Sequence, residues 1–189
     1  MCSRFHLTAG GGKLLEQIPG GCGVQTGEAH PGDRIPVFME TGKGAEIRTM
    51  IWGFRMEEKK TLIFQARSES VEEKSLFRAA FSGFRCAVPA SWFYEWNRQR
   101  EKAKFEGNAP GKLLWLAGIW RMEEDGPHAV ILTAEAAGSV RTVHDRMPLI
   151  LKETELKAWC TDRDHARMLL KKTPPDLKKI MEYEQLSLI

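Results

Sequence analysis

Cysteine is scarce in this chain: four in 189 residues, at positions 2, 22, 86 and 160. There is no C-x-x-C pair and no H-E-x-x-H run, so neither a zinc site nor a dense disulfide framework is expected, and a reducing compartment is the simpler setting. No apolar run reaches the length that crosses a bilayer, and the opening residues carry no apolar signal core. The expectation is a soluble, unexported protein with no membrane partner, cytoplasmic and, if bacterial, associated with the nucleoid. Excess charge of one sign is also lacking. Twenty-eight Lys and Arg against 25 Asp and Glu leave a formal charge of +3 and a pI near 8.7, which permits a nucleic-acid partner without arguing for one. A phosphate loop is absent too, because Gly12-Lys13 is followed by Leu14 and Gly42-Lys43 by Gly44 where Ser or Thr is required. No nucleotide or metal cofactor is expected, and no internal repeat is visible.

What is present is 42% hydrophobic residues, enough for one well-buried core and little for two, so residues 1–189 read as a single domain. Short β-branched and aromatic runs recur as RIPVFME, EIRTMIWGF, TLIFQAR, RCAVP, WFYEW, LLWLAGIW, HAVILTA and MPLIL. Many strands with few helices between them predict an α+β fold, a mainly antiparallel sheet or partly open β-barrel with flanking helices. Ser70-Val71-Glu72-Glu73 reads as a capping box for a helix with Leu76, Phe77, Ala80 and Phe81 on one stripe and Gly83 as its stop. KETELKAWC and DRDHARMLLKK predict two more helices, closed off by Pro174-Pro175. The glycine-rich GGGKLLEQIPGGCG is the one candidate mobile segment.

Strand alternation indicates which side chains share a face. In TLIFQARSES, Gln65, Arg67 and Glu69 stand on one side and Leu62, Phe64 and Ala66 on the other. In SWFYEW, Trp92, Tyr94 and Trp96 share a face and leave Glu95 beside Phe93, where a carboxylate among aromatics has a raised pKa suited to proton transfer. An edge-strand acid that only blunts aggregation is the plainer alternative. In VHDRMP, His144 and Arg146 point together, a proton shuttle beside an anion grip, whereas the other four histidines lack such company; a structural histidine is the alternative here. The opening MCSRF places Cys2 behind an initiator Met that is usually trimmed before a small residue. A terminal Cys2 would carry an amine and a thiol on one residue. Both are reactive near neutral pH, and together they can close on an aldehyde as a thiazolidine.

Taken together and in order, MC-x-R, WG, ARSES, RC-x-x-PAS-x-FYEW and HDRMP resemble the SOS-response-associated peptidase (SRAP) family. The resemblance runs from residue 2 to about 151, with 152–189 a helical or irregular tail. It implies binding of abasic sites in single-stranded DNA and a covalent thiazolidine adduct through Cys2 after loss of Met1, in a DNA damage response. It implies Cys2, Glu95, His144 and Gln65 as the catalytic set, and Arg4, Pro31, Trp52, Arg67, Trp96, Thr133 and Arg146 as nucleic-acid-binding residues, with the replication machinery as a further partner. Arg4, Arg67 and Arg146 would hold phosphates and Trp52 would offer a stacking surface. The family usually has Asn where Gln65 stands, a Pro and a second Trp behind Trp52-Gly53 where FRMEEKK follows, an Asn ahead of the proline matching Pro31, and Gly where Trp92 stands. Whether such a self-modifying protein is an enzyme, with peptidase-like or lyase activity, is open. Two alternatives remain: a cysteine peptidase in which His144 is the base for Cys2, acting on its own leader, and a noncovalent single-strand-binding module.

Overall fold

A computed structural model describes residues 3–56 and 61–181. Among them fifteen strands form: β1 Phe5–Leu7, β2 Gly27–Ala29, β3 Arg34–Thr41, β4 Gly44–Trp52, β5 Phe54–Met56, β6 Thr61–Ile63, β7 Gln65–Arg67, β8 Arg85–Ala90, β9 Trp92–Trp96, β10 Lys102–Glu106, β11 Leu114–Glu123, β12 Gly126–Glu135, β13 Arg146–Pro148, β14 Ile150–Leu151 and β15 Lys178–Met181. Five α-helices accompany them: α1 Ala9–Leu15, α2 Ser75–Gly83, α3 Gly138–Arg141, α4 Leu156–Thr161 and α5 Arg163–Leu170. The class is α+β.

Five strands close into a barrel. β4 pairs with β3, β3 with β8, β8 with β11 and β11 with β12, all antiparallel, and β12 returns to β4 in parallel through His128↔Ile51 and Ala129↔Trp52. β7 and β13 dock on β12, and β14 on β11. A second, antiparallel sheet has the order β15-β10-β9-β1-β2. The barrel strands are buried on both faces, which is why RCAVPA reads as a continuous apolar run instead of alternating. One set of their side chains, including Phe38, Ala87, Trp115 and Leu132, packs with α2, α4 and α5. The alternate set, including Val37, Val88, Leu116 and Ile131, packs with Phe5, Phe93 and Phe105 of the second sheet.

Local details depart from the expected elements. Ser70 does not cap a helix: Ser68–Ser70 is a 3-10 turn, Val71 is fully buried and anchors the chain there, and α2 begins only after Lys74. Gly83 is the last residue of α2 and not a left-handed stop; the Phe84 amide closes the helix on the Ala80 carbonyl at 2.7 Å. The glycine-rich stretch opens as α1, capped by Thr8, whose Oγ1 accepts from the Gly11 amide at 2.9 Å. Its glycines are contact points: a Cβ on Gly11 would lie 2.8 Å from a Leu7 methyl and one on Gly12 2.7 Å from Thr26. TLIFQAR is two strands, because Phe64 leaves the β5–β6 pair and its carbonyl accepts from the Trp52 indole (3.0 Å) and the Ile131 amide (3.2 Å).

Arg85 joins the helical layer to the barrel. It is 5% exposed and donates to Phe81 and Ser82 carbonyls at the end of α2 and to Trp159 and Cys160 carbonyls at the end of α4. Helix C-termini carry partial negative charge, so two of them serve as counter-charge to a buried guanidinium.

Candidate active site

Glu95 occupies an inward position of β9 between the outward Tyr94 and Trp96, opposite Ala103 of β10. It is 1% exposed, and burial pushes its carboxyl up to about 7. Its neighbours Phe93 and Ala103 belong to the apolar layer in which Phe64, Val140, Val143 and Met147 also pack. Phe64 and Val143 are the sequence neighbours of Gln65 and His144, so both short segments border the apolar layer that Glu95's own neighbours join.

β7 lies parallel on β12 with Gln65 opposite Ile131 and Arg67 opposite Thr133; Gln65 is half-buried, Ala66 buried and Arg67 exposed. β13 lies on the same strand with Arg146 opposite Glu135. A turn after α3, closed by the His144 amide on the Val140 carbonyl (2.9 Å), sets His144 ahead of β13. His144 Nδ1 lies 2.9 Å from the Arg146 amide and 3.2 Å from the Arg146 carbonyl; the shorter contact, from a group that can only donate, makes Nδ1 the acceptor and leaves the proton on Nε2. Burial lowers the imidazole pKa, which favours the neutral ring at pH 7.

Both terminal nitrogens of Arg146 are engaged within the protein, against its expected role as a phosphate grip. Its guanidinium holds both Glu69 oxygens, at 2.6 and 2.8 Å, and the Thr133 carbonyl at 2.6 Å. The Arg146 partnership holds the Glu69 carboxyl below its usual range. Thr133 was expected to touch nucleic acid but is 1% exposed; its hydroxyl and carbonyl serve Ala66 and Arg146. Trp52 is corrected likewise: it is fully buried between Phe5 and Phe64 and offers no face to a base. Gly53 behind it has φ +124°, its amide donating to the Ala129 carbonyl, so the WG pair is a barrel-closing turn.

The remaining expected residues lie on the second sheet or at its border. The Arg4 guanidinium stands 5.2 Å from the Trp96 ring centre and 3.4 Å from Glu28, and Pro31 is half-buried in the turn after β2. Cys2 lies outside the described residues. β1 runs antiparallel to β9 with Phe5 opposite Phe93 and the Tyr94 amide donating to the Arg4 carbonyl at 3.0 Å. Carried on, that register sets Ser3 across from Glu95.

Two groups escaped sequence reasoning. Glu69 was placed on the Gln65 and Arg67 face, yet its partner Arg146 lies 77 residues away, beyond any local pattern. His128, one of the histidines expected to lack company, is buried with Nδ1 2.5 Å from the Gly53 carbonyl and Nε2 2.9 Å from Asp125. Glu123, Asp125 and His128 have ligand-type atoms within 4.8 Å of one another, but Arg55 and Arg121 already neutralise the two carboxylates. The group therefore reads as a turn-locking network.

A family model described as SOS response associated peptidase (SRAP) matches residues 1–187. The chain is similar to abasic site processing protein YoqW of Bacillus subtilis, 29% identical over 212 residues, covering 100% of this chain and 94% of that one. It is also similar to abasic site processing protein HMCES of Xenopus tropicalis, 31% identical over 120 residues, covering 49% of this chain and 36% of that one. A crystal structure of a Bordetella bronchiseptica protein shares the fold with a TM-score of 0.79 at 22% identity, covering 95% of this chain and 99% of that one. With the family model spanning nearly its whole length, the chain belongs to the SRAP family.

Proposed function

We propose that this protein processes abasic sites in single-stranded DNA by joining them covalently to Cys2, freed by removal of Met1. The observation that carries the reading is Glu95, an acid 1% exposed and titrating near 7, set at the end of β9 toward which the β1 register directs the start of the chain. The names of the curated relatives, abasic site processing proteins, point to the same substrate. A carboxyl with that pKa can take a proton from the Cys2 ammonium and return one within the same cycle at neutral pH.

The ring-opened deoxyribose offers an aldehyde. The Cys2 amine adds to it and water leaves, giving an imine; the thiol then adds across the carbon–nitrogen double bond, sulfur to carbon and proton to nitrogen, and closes the thiazolidine. His144, neutral with its proton on Nε2, acts as a hydrogen-bond donor to the sugar ring oxygen as the ring opens. Gln65 holds the amine or sugar through its amide, and the exposed Arg67 meets the backbone phosphate. None of these steps calls on a metal or cofactor.

The test is incubation of the mature protein, its mass confirming loss of Met1, with a strand bearing one abasic site. An adduct stable to SDS and heat is expected. One untrimmable residue ahead of Cys2 should abolish it, since only an amine and thiol on the same residue can close the ring. Equal cross-linking by the blocked protein would overturn the thiazolidine reading.

A further inference from the structure

The outward face of the second sheet carries a pattern that the candidate site does not use. On β9, Trp92, Tyr94 and Trp96 alternate with the inward Phe93 and Glu95, so three aromatic side chains stand in one row, the two tryptophans half-buried and Tyr94, beneath Lys102, 8% exposed. Each is overlain by a cation: the Arg4 guanidinium 5.2 Å from the Trp96 ring centre, Lys102 Nζ 4.0 Å from that of Tyr94, and Lys104 Nζ 4.5 Å from that of Trp92. His6 stacks flat on Trp92, 4.3 Å between centres and 3° between planes. At the Trp92 end the row runs into a hollow of about 520 Å³ whose walls include Thr8, Ser91, Lys112 and Lys178.

We infer that this face is a stacking platform for undamaged single-stranded DNA flanking the lesion. It rests on the DNA reading above but uses the opposite face of β9 from Glu95. A nucleotide offers what each aromatic–cation pair needs on release: a π face for the ring and a phosphate for the displaced ammonium. An acidic peptide would satisfy the lysines and leave the indoles in water. Charge agrees in sign, because Arg4, Lys102, Lys104 and Lys178 outnumber Glu28 and Glu106, which pair with Arg4, Lys104 and Lys178. The Tyr94 and Trp96 ring centres lie 6.5 Å apart and the rings are tilted by 45°, so a base stacks on one ring or the other, not between them, once the overlying cation swings to a phosphate.

The experiment measures binding of oligothymidylate, which holds no aldehyde, by fluorescence anisotropy across a salt series. Trp92→Ala should weaken binding roughly tenfold across the salt series, with Trp92→Tyr restoring most of it. Wild-type affinity in Trp92→Ala would overturn the platform, and so would a loss that Trp92→Tyr fails to restore, since that marks damage to the sheet. Equal affinity for a duplex of the same length would also overturn it, leaving only a basic surface. Adduct formation on an abasic strand reports the other face independently. An adduct without a Trp92 effect refutes the platform alone, and a Trp92 effect without an adduct refutes the site reading alone.

Discussion

Replacing Glu95 by glutamine should make the protein more stable at alkaline pH while disabling it. Burial against Phe93 and Ala103 raises the carboxyl from the ordinary 4.5 to about 7, so the folded chain holds this proton more tightly than the unfolded chain does. Stability from that difference is fully present below about pH 4.5, declines as pH rises toward 7, and is gone above it. At about 1.4 kcal/mol per pH unit, the loss between pH 4 and pH 8 is about 3 kcal/mol. Glutamine stays neutral throughout and is spared it. Urea titrations at intervals from pH 4.5 to 8 should give equal stabilities for wild type and variant at the acid end and a variant advantage approaching about 3 kcal/mol at the alkaline end. In a thermal scan this appears as roughly 6–12 °C in Tm. The adduct rate should fall about a hundredfold at every pH. A wild-type minus variant difference that is flat across pH would refute the buried, proton-holding carboxyl, and so would a variant less stable at pH 8.

Arg67→Ala should reduce the salt slope of strand binding by about one, while Arg146→Ala should change it little, because Glu69 already neutralises that guanidinium. Glu69→Gln should release Arg146 and steepen the slope, which the same titration detects. Trp52→Ala should cost about 3–5 kcal/mol in urea denaturation, the range for a buried tryptophan; a loss below about 1 kcal/mol would mean that the ring is an exposed stacking surface after all.

The parts of the site that alternation governs were legible in the sequence. A period of two set Glu95 inward beside Phe93, and the order of short motifs carried the family. Two features were not, because each depends on distant partners. Trp52 looks like an exposed stacking surface until β12 closes on β4 and buries the indole under Phe64. Arg146 looks like a free phosphate grip until the 3-10 turn holding Glu69 arrives from another part of the chain. The glycines of α1 read as slack for a similar reason: their lack of a side chain answers the closeness of Leu7 and Thr26, which no local window displays. Strand runs were legible as runs, but their split at Phe64 and the closure of the barrel follow from pairing, which composition does not encode.

That closure has a consequence for how the molecule is put together. Four of the five joints in the ring are antiparallel, but the fifth is a parallel seam of two residue pairs, His128↔Ile51 and Ala129↔Trp52. It is reinforced by His128 on the Gly53 carbonyl, a contact between residues 75 apart in sequence. Contacts of such long span meet the largest chain-entropy cost, so closing this seam costs more chain entropy than closing a joint between strands adjacent in sequence. The indole at position 52 is then a latch on that seam: while it is seated, strand β12, which carries the Gln65 and Arg146 segments, is fixed to the half of the barrel against which the chain's first strand is packed.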